Sequence, residues 1–140
     1  MATLKSFWRE NWLIIIVVLG LGAAFVFLRT PGDTFASMEA LEARLQAGQP
    51  TVVNFYSNSC SICLFTKPQV DQLEADLVGQ AGVLRLNVTQ SVGREIAQRW
   101  GVRGVPTFFV VDRVGQIVYA RAGAPQVEEI KAAVASSSRN

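Results

Sequence analysis

The chain has 140 residues, half of them apolar, with a formal charge of +2, enough for one domain of ordinary size plus a short appendage. From Pro31 to Asn140 ten Lys or Arg balance ten Asp or Glu, so no basic stripe suggests a nucleic-acid partner; Arg94, Arg99 and Arg103 read as a solvated helix face. There is no histidine, and the two cysteines form a single Cys-x-x-Cys, which excludes a histidine triad, a His-Cys zinc site and a c-type haem attachment motif.

The first segment runs uncharged from Trp12 to Leu28, reading WLIIIVVLGLGAAFVFL. As a helix its 17 residues reach about 25 Å, at the short end of what spans a bilayer core. Phe7, Trp8, Lys5 and Arg9 precede it, and Arg29, Pro31 and Gly32 close it. The pattern predicts a transmembrane helix at 12–28 after an N-terminal flank at 1–11. A cleaved signal peptide is the rival, but the run exceeds the usual h-region and no small-x-small site follows it. A buried core helix would need cover on every face. Two basic residues and the amino terminus before the span, against one Arg after it, place the N-terminus in the cytoplasm and the following domain outside. The alternatives are a domain facing the cytoplasm, or one secreted after cleavage.

Residues 29–34 form a linker, and a domain is expected from 35 to 135. Phe35, Met38, Leu41 and Leu45 recur at helical steps, with Asp33 or Thr34 as N-cap and Gly48 as the stop. Thr51 to Tyr56, β-branched and aromatic, reads as a buried strand. The Cys-x-x-Cys follows at once, and Leu64 to Leu77 returns to helical spacing, with a kink expected at Pro68. Val83 to Val88 reads as a strand and Val92 to Trp100 as a helix ended by Gly101. Thr107 to Val111 and Gln116 to Ala120 form an antiparallel hairpin. Val127 to Val134 is the last helix, and the tail at 136–140 is expected to be disordered. Strands separated by helices and followed by a hairpin predict an α/β fold, a mixed sheet with helices on both faces.

Cys60 falls where a helix begins, where unpaired N–H groups and the helix dipole favour the thiolate that attacks disulfides. Cys63, nearly one turn on, is close enough to bond with it. This points to Cys60 as nucleophile and Cys63 as resolving thiol, with their disulfide as the only redox group and no further cofactor. A structural zinc site wants four ligands, and one chain offers two; a shared zinc in a dimer and an inert cysteine pair stay open as alternatives.

The chain resembles the thioredoxin family. The likeness runs from about Phe35 to Val134 and rests on a strand ending in an aromatic, the Cys-x-x-Cys, Pro68 five residues later, Arg85-Leu86-Asn87-Val88, and the run Trp100-Gly101-Val102-Arg103-Gly104-Val105-Pro106-Thr107. The resemblance implies a thioredoxin-like fold, a cis Pro106 facing the sulfurs, and a Val105 backbone that pairs with substrate. It implies a protein-disulfide oxidoreductase acting on protein thiols or disulfides, more as a reductase than an oxidase. For a domain outside the cytoplasm, it implies a membrane thiol reductase as electron donor. Ser59 stands where the family usually has Trp, Ser61-Ile62 where it has Gly-Pro, and Asn54 where it has a buried Asp. Asn54 takes no proton and so cannot deprotonate Cys63; Ser61 can offer an N–H and a hydroxyl near Cys60. These departures motivate the alternative of a thioredoxin-fold binding or chaperone-like module with little redox turnover, and a metal-handling thiol pair is a third reading.

Overall fold

The computed structural model describes residues 2–139, with side chains at 11–27 and 29–139. The flank expected from Lys5, Phe7, Trp8 and Arg9 and the end of the tail at Asn140 fall outside what is described at side-chain level. The chain divides into two units, residues 1–30 and 31–140.

The first unit is one helix, α1 (Ala2–Leu28). Its apolar side chains are exposed on all sides, from Trp12 at 54% to Phe27 at 87%. The helix covers the expected segment, yet among the described residues no helix is long and apolar enough to cross a membrane.

The second unit carries the predicted mixed sheet. Strands β1 (Thr51–Tyr56), β2 (Gly82–Asn87), β3 (Thr107–Val111) and β4 (Ile117–Ala122) lie in the order β2-β1-β3-β4. β1 runs parallel to β2 and antiparallel to β3, which pairs antiparallel with β4. Alternation along the strands divides the core in two. Val53, Phe55, Leu84, Leu86, Phe109 and Val111 meet α2 (Met38–Leu45) and α4 (Ser91–Arg99) on one face. Val52, Phe108 and Val110 meet α3 (Ser61–Asp76) and α5 (Val127–Ser137) on the other. Phe55, Trp100 and Phe109 pack edge-on or tilted with centroids 4.9 to 5.8 Å apart, which fixes the loop after α4 against the sheet.

Strands β2 and β4 and helix α4 lie within one or two residues of the sequence reading, and three boundaries depart further. The N-cap of α2 is Ser37, whose hydroxyl accepts from the Ala40 amide. Asp33 is not free to cap: its backbone N–H donates to the Arg85 carbonyl and its carboxylate accepts from the Arg85 amide at 2.7 Å. α3 starts at Ser61 and runs through Pro68 without a break. α5 continues into the serine-rich tail as far as Ser137, which is buried and donates to the Val134 carbonyl.

Gly93 has a tight role. A Cβ there would overlap the Asn87 carbonyl oxygen, so only glycine lets α4 sit this close to the end of β2.

Candidate functional site

β1 is buried along its whole length, and its last turn delivers the chain to the start of α3. Cys60 is the N-cap of α3, with extended backbone (φ −91°, ψ 110°). Its sulfur accepts a hydrogen bond from the Cys63 amide at 3.3 Å, and its thiol donates to the Val105 carbonyl at 3.5 Å. An N-cap sulfur in this position takes the place of the oxygen that usually satisfies an orphan N–H, and the same N–H can hold the anionic form. Cys60 is partly exposed and Cys63 is buried, both as free thiols.

The two thiols therefore differ sharply. Burial pushes the Cys63 thiol up to about 12, helped by its hydrogen bond with Cys60; the Ser57 backbone amide pulls in the other direction. One sulfur is open to a partner, and the other waits, protonated, directly behind it.

The peptide bond between Val105 and Pro106 is cis. Half-buried Val105 and buried Pro106 precede β3, so the Val105 carbonyl reaches Cys60 from a segment 45 residues away in sequence.

The other residues singled out in the sequence fall around this centre in different ways. Ser59 is exposed, and its hydroxyl lies 2.8 Å from that of Ser57. Ser61 is exposed in the first turn of α3; the donor at the Cys60 sulfur is the Cys63 amide, one turn along. Asn54 is buried on β1 opposite Arg85 of β2, on the sheet face that meets α3 and α5. Its Oδ1 has no hydrogen-bond partner. Among the described residues no group of His, Cys, Asp or Glu could hold a metal ion.

Sequence reasoning passed over two contributors. Ser57 lies at the end of β1, nearly fully buried, and its carbonyl accepts from the Cys60 amide; the signal was the Ser-x-Ser spacing just before Cys60. Thr66 is buried one turn below Cys63 and donates to the carbonyls of Ile62 and Cys63, holding the first turn of α3. Beside the cysteines, Ile62 and Phe65 are 56% and 84% exposed, an apolar rim on the side of the helix open to a partner.

The family model for thioredoxin matches residues 34–136. The chloroplast thioredoxin-like protein HCF164 of Arabidopsis thaliana is 34% identical over 83 residues, covering 59% of this chain and 32% of that protein. The thiol:disulfide interchange protein TxlA homolog of Synechocystis is 30% identical over 117 residues, 78% of this chain and 64% of that protein. The chain thus spans about a third of the first relative and under two thirds of the second. The germline-specific thioredoxin Deadhead of Drosophila melanogaster superposes with a TM-score of 0.61 at 24% identity, covering 74% of this chain and 97% of that one; this likeness concerns the fold.

Proposed function

The chain belongs to the thioredoxin family, and we propose that it is a membrane-tethered protein-disulfide oxidoreductase working mainly as a reductase through Cys60 and Cys63. The observation that carries this reading is the pairing of a partly exposed N-cap sulfur with a buried thiol whose amide points at it. The Cys60 thiolate attacks a substrate disulfide, forming a mixed disulfide and releasing one substrate thiolate. Cys63 then attacks the Cys60 sulfur, the intramolecular disulfide forms, and the second substrate thiolate leaves. Two electrons have passed to the substrate. The Val105 backbone and the Ile62 and Phe65 rim form the surface on which an extended substrate segment lies, with Pro106 at its edge. The name of the Synechocystis relative, a thiol:disulfide interchange protein, supports this chemistry.

The tether is the run from Trp12 to Leu28. Its exposed apolar surface is costly in water, at roughly 25 cal/mol per Å², and a bilayer removes that cost. Local thinning and flanking side chains accommodate a span somewhat shorter than the core. Lys5 and Arg9 before the run, against Arg29 after it, favour a catalytic domain on the outer face. There, a membrane thiol reductase would re-reduce the pair.

The test is insulin reduction by the full chain in detergent. Cys60→Ser is expected to abolish turnover and Cys63→Ser to trap mixed disulfides; equal turnover in wild type and Cys60→Ser would sink the proposal. An alkaline carbonate wash of membranes checks the tether, which fails if the chain is released to the supernatant.

A further inference from the structure

The helix face beside the cysteines continues past the first turn of α3. Ile62, Phe65, Gln69 and Gln72 follow one another at three- and four-residue steps, which aligns them in one stripe, and all four are exposed. The lower half of the stripe borders a cleft of about 660 Å³ between α3 and the start of α5. Pro68 and Gln69 line it from α3, Pro125 and Val127 from the other side, and Leu73, 1% exposed, lies between them. The loop that brings Pro125 there is tied to the redox centre. The Gly123 amide donates to the Pro106 carbonyl at 2.8 Å, and the neighbouring Val105 carbonyl accepts from the Cys60 thiol. One surface therefore runs from the sulfurs into the cleft, with α3 along one side and the segments at 105–106 and 123–127 along the other.

The charges of the cleft are unbalanced, since its lining holds two carboxylates and no cation. Glu129 is matched by Arg121 at 2.9 Å and by the Tyr119 hydroxyl at 3.0 Å. Glu128 is exposed and forms no salt bridge among the described residues, while Lys131, one turn on, is held by Asp76 at 2.6 Å. The Gln69 side chain has no hydrogen-bond partner among the described residues. An apolar cleft with an unmatched carboxylate and an open amide at its rim complements an extended peptide that carries an apolar side chain beside a Lys or Arg. The volume is ample for this, since clefts of roughly 300 to 1,000 Å³ take ligands of several hundred daltons.

We propose that the cleft between α3 and α5 is a second substrate subsite, seating an apolar residue and an adjacent Lys or Arg of the disulfide-bearing protein. From Cys60 to Gln69 and Gln72 the helix rises by about 14 to 18 Å, the length of about four to five extended residues. The seated pair therefore lies four to five residues from the cysteine that Cys60 attacks. The proposal rests on the thiol-exchange reading above and names the substrates that the site favours.

The experiment uses the full chain in uncharged detergent in a Cys63→Ser background, so that the reaction stops at the mixed disulfide. The probes are six-residue peptides whose single cysteine is disulfide-bonded to thionitrobenzoate, with Leu-Lys, Leu-Glu or Ser-Lys four and five residues away, each built in both chain directions. The Cys60 sulfur bonds to the peptide sulfur, and thionitrobenzoate leaves with the electron pair. Its absorbance gives a second-order rate, which is divided by the rate on N-acetylcysteine carrying the same group. In one chain direction the Leu-Lys peptide is expected to react about threefold faster than Leu-Glu, the scale of an exposed ion pair. It is expected to react about fivefold faster than Ser-Lys, from partial burial of the leucine. Glu128→Lys should reverse the preference between Lys and Glu. With the Leu-Lys peptide trapped on Cys60, the amide resonances of Gln126, Val127 and Glu128 should shift, and with trapped N-acetylcysteine they should not.

Equal rates for the three peptides in both directions overturn the subsite, as does a Lys preference that Glu128→Lys leaves intact. A Lys preference without a leucine preference overturns it too, because surface charge alone then steers the peptide. So do amide resonances at 126–128 that stay in place. Thionitrobenzoate release that Cys60→Ser leaves unchanged overturns the exchange reading instead, so the two failures are distinguishable.

Discussion

Asn54 and Arg85 are register partners on neighbouring strands, both about 5% exposed, and the protein treats them in opposite ways. Arg85 is a buried charge paired at 2.7 Å with Asp71 and at 2.6 Å with Glu74 of α3. Asn54 is neutral and leaves its carbonyl unpartnered. The contrast teaches where this fold tolerates charge. The middle of α3 is tied to the sheet by an ion-pair fork whose carboxylates are about half exposed, whereas the adjoining position on β1 holds an uncharged amide.

The largest effect should come from stripping the fork. Asp71→Asn with Glu74→Gln leaves an unpaired buried guanidinium and is expected to lower unfolding free energy by about 3 kcal/mol, at the low end of such losses because water reaches the site. Arg85→Met, which removes the charge itself and leaves carboxylates already half in solvent, should cost under about 1 kcal/mol. Urea titrations of both variants check the pair, and equal losses would break the comparison.

A smaller effect concerns the buried Cys63 thiol. Because folding holds the Cys63 thiol up at about 12, above an unfolded value of about 8.5, its stabilising contribution is fully present below that unfolded value. It is lost as pH rises through the interval. The reduced protein should lose about 2 kcal/mol relative to the oxidised form by pH 10. Urea midpoints of the two forms across pH 7 to 10 measure this, and parallel curves would contradict the assigned burial. The smallest effect is a gain: Asn54→Val, which removes an unpaired carbonyl from a strand position, should raise stability by about 1 kcal/mol, read as a higher Tm.

Much of this was legible in the sequence where one signal dominated. The bounds of β1 and β3 were read without error because runs such as TVVNFY and TFFVV are β-branched and aromatic and end where polarity changes. The start of α2 was misplaced because Asp33 and Ser37 are equally good caps in isolation, and only the pairing of Asp33 with Arg85, 52 residues away, decides between them. Composition also misled at the tail, where Ser137 is held by a local bond to Val134 and by burial. At the site, Cys60, Cys63 and Pro106 stood out by spacing. Ser57 did not, since its importance comes from the ends of β1 and α3 meeting around the sulfurs.

The burial of Cys63 also couples chemistry to acidity. A thiol that stays protonated to about 12 means that reduction of the Cys60–Cys63 disulfide takes up a proton with its electron pair at every physiological pH. Each proton so bound shifts a two-electron couple by about 30 mV per pH unit. The reduction potential of the pair therefore follows the acidity of whatever compartment the chain faces, rising as the surroundings acidify.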